Sequence, residues 1–136
     1  MIVSDTNLIA YLLIGGTHTA AARAVFQRDP WWSAPLLWRS EFRNILANYL
    51  RRGELDVVGA LRIQSKAEEL MAGREHVVQS SRVLQLAADS GCSAYDCEFV
   101  ALAELLGVRL VTSDSGVVQS FPNIAATPEA FTSSAT

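Results

Sequence analysis

Ile2-Val3-Ser4-Asp5-Thr6-Asn7 opens the chain. A short apolar run ends abruptly on an acid, and a helix-compatible segment follows at 7–14. A strand with no polar face is buried on both sides, as in a parallel sheet. Later segments repeat the alternation. Strands are expected at 31–34, 76–79, 108–112 and, as a last edge strand, 124–126. Helices are expected at 19–28, 36–52, 55–72, 81–90 and from the Ser93 cap to 106. Glycines at 15, 16, 53, 73, 91 and 107 and the Asp29-Pro30 pair supply the stops. Strands alternating with helices define an α/β fold, a parallel sheet covered by helices.

The bulk numbers agree with one packed domain. The chain has 136 residues, 50% hydrophobic and 18% charged, enough for a single core. We expect one domain over 1–131 and a frayed small-residue tail over 132–136. No apolar run approaches the roughly 20 residues that span a membrane. The N-terminal segment is strand-like rather than a basic leader with a cleavage site, so a cytoplasmic protein is expected. Cys92 and Cys97 are too few and too oddly spaced for a zinc site or a disulfide framework, and are expected as reduced thiols. The net charge of −3 argues against a wide nucleic-acid-gripping surface.

Four acids stand where a soluble chain normally puts something else. Asp5 ends the first apolar run. It is either the N-cap of the next helix, a role Thr6 or Asn7 could fill equally, or a ligand-site acid beyond a strand's carboxyl end. Asp114 repeats the arrangement after Val108-Arg109-Leu110-Val111-Thr112, with an Asp-Ser-Gly turn as the alternative. If the two strands are neighbours, both carboxylates share one rim. Glu41 lies at the edge of the apolar stripe Trp38, Phe42, Ile45, Leu46 and Tyr49, while Arg39 and Arg43 point elsewhere. It is either an inward-facing acid or one that snorkels to solvent. Asp96 completes a capping-box pattern with Ser93, yet is in phase with the inward residues Phe99, Val100 and Ala103. Glu98 falls opposite, on the expected solvent side.

Carboxylates that converge cannot neutralise one another. Two of them at about 4 Å repel by roughly 4 kcal/mol at an effective dielectric of about 20. A hard divalent cation, Mg²⁺ or Mn²⁺, relieves that strain, and a phosphodiester is the natural substrate to complete its coordination. Other chemistries lack their signatures. There is no Gly-rich phosphate loop and no serine or cysteine triad pattern. His18 and His76 have no partner pattern. A receiver-like site would need a lysine after a late strand, and Lys66, the one lysine, is mid-helix. Trp31, Trp32 and Trp38 are expected in the core or a dimer contact. Arg39, Arg43, Arg51 and Arg52 are expected on a solvated helix face.

These residues resemble the PIN-domain ribonucleases of the VapC type, the toxins of type II toxin–antitoxin pairs. The likeness rests on Ile2 to Asn7, on Ser40-Glu41-Phe42, on the run from Tyr95 to Gly107, on Leu110 to Asp114 and on Phe121-Pro122. It implies a PIN-like three-layer sandwich with a short, mostly parallel sheet. It implies Asp5, Glu41, Asp96 and Asp114 as catalytic metal ligands for Mg²⁺ or Mn²⁺. It gives Asn7 and Thr112 supporting roles, orienting substrate or holding the ligands in place. It further implies hydrolytic cleavage of RNA leaving 5′-phosphate and 3′-hydroxyl ends, a homodimer, and inhibition by a cognate antitoxin. The alternatives are a catalytically silent binding module of the same fold and a structure-specific DNA nuclease.

Overall fold

A computed structural model describes residues 1–133. The strands are β1 Ile2–Ser4, β2 Trp32–Pro35, β3 Glu75–His76, β4 Leu110–Val111 and β5 Ala125–Ala126. The helices are α1 Thr6–Ile14, α2 Thr19–Arg28, α3 Leu37–Arg51, α4 Val57–Met71, α5 Ser80–Ser90, α6 Ala94–Leu106, α7 Ser115–Ser120 and α8 Pro128–Ser133. The strands form one sheet in the order β3-β2-β1-β4-β5, and every pairing is parallel. The fold is α/β, as the sequence indicated.

Chain order dictates the layers. From β1 the chain steps outward to β2 and then β3, returning each time through a helix pair. It then crosses back over β1 to β4. Right-handed crossovers put the helices of the two outward steps on one face and those of the return on the other. The packing agrees. The α1 helix lies against α2, α3 and α4, while α5 packs on α6 and α6 covers β1, β2 and β4. The strand order therefore reverses between β1 and β4, and a ligand crevice belongs beyond the carboxyl ends of these two strands.

The core is built from the residues that the sheet and α6 must hide. Val3, Val25, Trp32, Trp38, Phe42, Val100, Leu102 and Val111 are fully buried. Trp32 meets Phe26 edge-on with ring centroids 5.4 Å apart, and Trp38 meets Phe42 at 5.8 Å. Each buried indole keeps a partner for its N–H, the Asp29 carbonyl for Trp32 and the Glu75 carboxylate for Trp38. Gly91 and Gly107 close α5 and α6 in the left-handed conformation, at φ 73° and 67°, which side chains with a Cβ resist.

Several expectations are corrected. Trp31 is not core: it is 48% exposed, beneath the Arg74 guanidinium. Arg39 is not free on a solvated face. It forms a bidentate pair with Glu75, reinforced by Glu68, which ties α3 to β3 and α4. Glu98 is half-buried because α5 covers the outer side of α6, and burial raises its pKa. The strands β3 and β4 are two residues each, shorter than their apolar runs. The Asp114-Ser115-Gly116 stretch is a helix start rather than a simple turn. Thr132 and Ser133, the first residues of the expected tail, belong to α8; 134–136 lie outside the described residues. Among the described residues no single helix is long and apolar enough to cross a membrane.

Candidate active site

All four acids line one cleft of about 250 Å³ at the β1–β4 switch point, with Thr6, Asn7, Asn44, Ile45, Phe99, Leu110 and Thr112. Four separate elements deliver them. The sheet register sets Ser4 beside Val111, so Asp5 and Thr112 emerge side by side from neighbouring strands. Glu41 comes from the second turn of α3 and Asp96 from the first turn of α6.

Asp5 is fixed at both oxygens. Its Oδ1 accepts the Leu8 N–H at 2.8 Å, capping α1. Its Oδ2 accepts the Thr112 hydroxyl at 2.7 Å and the Ser113 N–H at 3.1 Å. Burial nevertheless raises its pKa, against those three bonds, and the Asp114 charge adds to the rise. The Thr112 hydroxyl, 2% exposed at residue level, also accepts the Asp114 N–H at 3.1 Å. One side chain thus fixes the spacing of both strand-end acids. Asp114 caps α7 through Oδ1 alone, which takes the N–H groups of Gly116 and Val117. Its Oδ2 takes no bond from the described residues.

Glu41 is half-buried and held by the Thr6 hydroxyl at 2.7 Å. Burial raises its pKa, Thr6 opposes, and the charges of Asp96, Asp5 and Glu98 raise it further. For Asp96 the capping box is only half-formed. Its backbone N–H donates to Ser93 Oγ at 3.0 Å, but its carboxylate makes no return bond to the Ser93 N–H. Burial again raises its pKa, followed by the Asp114 charge, with the Ser93 hydroxyl opposing. Acids shifted upward by burial and by one another in a cleft make it the candidate functional site.

Among the described residues no Lys, Arg or His lines the cleft, so protein cations there do not relieve the crowding. The donor set is hard oxygen throughout, which suits Mg²⁺ or Mn²⁺ rather than zinc. Among the described residues, no three His, Cys, Asp or Glu side chains stand close enough to hold an ion unaided. The set therefore fits a hydrated cation that keeps several waters, the habit of Mg²⁺. Thr6 and Asn44 were missed by sequence reasoning. Thr6 was set aside as a spare cap, and Asn44 carries no signal beyond its place one turn after Glu41.

Comparison with known proteins agrees with this architecture. The chain belongs to the PIN-domain family, whose model matches residues 2–125. PIN domains are typically nucleases and generally use divalent metal ions. No curated protein sequence matches significantly. Among solved structures, the chain is similar to PAE2754 from Pyrobaculum aerophilum, at 21% identity and TM-score 0.76, covering 97% of this chain and 93% of that one. It is similar to a chain of a toxin–antitoxin complex from Klebsiella pneumoniae, at 16% identity and TM-score 0.68, covering 94% and 98%. It is also similar to FitAcB from Neisseria gonorrhoeae, at 18% identity and TM-score 0.72, covering 95% and 99%. At these identities the likeness is one of fold.

Proposed function

We propose that this PIN domain is a divalent-metal-dependent endoribonuclease acting as the toxin of a toxin–antitoxin pair. The observation that carries the nuclease reading is the convergence of Asp5, Glu41, Asp96 and Asp114 in a cleft without a basic side chain. The toxin reading is supported by the resemblance to VapC-type proteins and by the fold shared with a chain of the Klebsiella complex. On the same grounds the partners are RNA, a cognate antitoxin and a second copy of the chain, in the cytoplasm.

In this reading the four acids hold Mg²⁺ or Mn²⁺, directly or through water. The bound cation would supply Lewis-acid charge for a phosphoryl group and acidify a water. The chain's own contribution is position. Thr112 and the Leu8 and Ser113 N–H groups lock Asp5 with both oxygens engaged, which makes it a fixed anchor. Thr6 holds Glu41 across the cleft. Among the described residues, Asp96, Glu41 Oε2 and Asp114 Oδ2 offer carboxylate oxygens that no hydrogen bond holds, so they are the groups placed to take a proton from an attacking water. Asn7, exposed at the cleft mouth, orients the substrate.

The test is cleavage of structured RNA by purified protein with Mg²⁺, with Mn²⁺ and with chelator, beside Asp96→Asn. Metal-dependent cutting that the variant loses supports the reading. Cutting that persists in chelator, or undiminished in the variant, refutes it. Preference for duplex DNA over RNA would favour a DNA nuclease instead. Induction in bacteria tests the toxin role: wild type should arrest growth and Asp96→Asn should not.

A further inference from the structure

Any phosphodiester entering this cleft meets four carboxylates and no basic side chain. A bound cation would meet the oxygens of the phosphate being cut, and the strand beside it is left to the uncharged donors of the wall. The hydroxyls are already committed. Thr6 donates to Glu41, and Thr112 donates to Asp5. The remaining polar side chains are the amides of Asn7 and Asn44, which make no hydrogen bond to the described residues. Asn44 is exposed on α3, one helical turn beyond Glu41 on the same face. Ile45 and Phe99 line the same cleft. An amide fits this place because it donates without a charge. A lysine or arginine here would pair with Glu41 or Asp96 and compete with a cation.

We infer that Asn44 is a substrate-binding residue whose side-chain N–H donates to a phosphate oxygen of the nucleic-acid backbone beside the bond that is cut. The inference rests on the proposed nuclease site and deepens it. Asn44 acts on the strand and not on the cation, so the two should separate experimentally.

The experiment compares wild type, Asn44→Ala and Asn44→Asp, with Asn48→Ala as control. Asn48 lies one turn further along α3, outside the cleft, and accepts from Arg51. Three quantities are read for each: KM and kcat on a single-stranded RNA, the Mg²⁺ concentration giving half-maximal rate, and the Kd of a labelled RNA oligonucleotide in the Asp96→Asn background. Asn44→Ala should raise KM and Kd about tenfold, the scale of one hydrogen bond to a charged group. In Asn44→Ala, kcat and the Mg²⁺ half-point should stay near wild type, while Asn44→Asp should raise KM and Kd further and, by adding a carboxylate beside Glu41, also move the Mg²⁺ half-point. Unchanged KM and Kd in Asn44→Ala overturn the inference, as does a shift confined to the Mg²⁺ half-point. If wild type does not cut but Asn44→Ala still weakens RNA binding, the nuclease reading falls and the role of Asn44 stands. If wild type binds no RNA, the role of Asn44 falls.

Discussion

Replacing Asp96 by Asn separates a capping acid from a functional one by the sign of its effect on stability. If the Asp96 carboxylate served the capping box, its loss would cost about 0.5–1 kcal/mol. The structure gives the opposite expectation. The cap is the bond from the Asp96 backbone N–H to Ser93 Oγ, which the substitution keeps. What disappears is a charge repelled by Asp114 and by Glu41. Two carboxylates in one cleft repel by no more than about 4 kcal/mol at an effective dielectric of about 20, the figure for a separation of about 4 Å. Asp96 is half-buried and Asp114 exposed, so screening leaves about 1 kcal/mol per neighbour. Against that stand the lost attractions of a carboxylate to the α6 N-terminus and to the Ser93 hydroxyl, about 0.5 kcal/mol each. The net is a gain of about 1 kcal/mol, or about 3–4 °C in Tm for a chain of this size.

Urea denaturation at neutral pH in chelator measures it, with Ser93→Ala beside it. Ser93→Ala should lose about 1 kcal/mol as the cap goes. Asp96→Asn should gain, and should also lose any stabilisation by added Mg²⁺ that wild type shows. A metal-free Asp96→Asn protein less stable than wild type would refute the reasoning, because the carboxylate would then be structural.

Three further outcomes follow from the same geometry. The folded-state pKa values of Asp5, Glu41 and Asp96 are raised, so the folded state binds extra protons just above the ordinary carboxylate range near about 4. Stability should therefore fall as pH rises from the ordinary carboxylate range through the raised folded-state values, and level off above them. Glu75 and Glu104, held down by Arg39 and Arg82, oppose this only at lower pH. Melting in chelator should show a maximum on the acid side of neutrality that Mg²⁺ flattens, and a profile rising to neutral pH would contradict this. Thr112→Val keeps the shape but removes the donor to Asp5 and the acceptor for the Asp114 N–H. It should cost about 2 kcal/mol and lower kcat by more than Asn44→Ala does. Trp38→Ala, at a fully buried site, should cost about 3–5 kcal/mol. Trp31→Ala should cost under about 1 kcal/mol, the worth of an exposed cation–π contact.

The sequence displayed the sheet and most helices because their signals are local: apolar runs for strands, and a glycine or a cap at each helix end. It overstated β3 and β4, since an apolar run also describes extended chain that has no paired neighbour. It missed α7, whose six residues are too few for a periodic stripe and whose glycine suggests a turn. Arg39 and Trp31 were misplaced for one reason. Their partners come from α4, β3 and the residue just before β3, about thirty residues or more away, and the pattern within one helix or strand cannot supply them.

The four acids show a different limit. For Asp5 a cap, and for Asp114 a turn, was posed as the alternative to a cleft acid, and the structure makes each acid a cap and a cleft acid at once. Asp5 gives Oδ1 to Leu8, and Asp114 gives Oδ1 to Gly116 and Val117. In both, capping holds the carboxylate rigid by one oxygen and turns the other away from the helix it caps. The second oxygen of Asp5 goes to Thr112 and Ser113, and that of Asp114 goes unbonded. A helix start directly after a strand end is thus a positioning device in itself, because the peptide N–H groups that need a cap fix the acid's rotamer. The pattern strand–Asp–helix, twice on adjacent strands, carries more information than either acid weighed against its own cap.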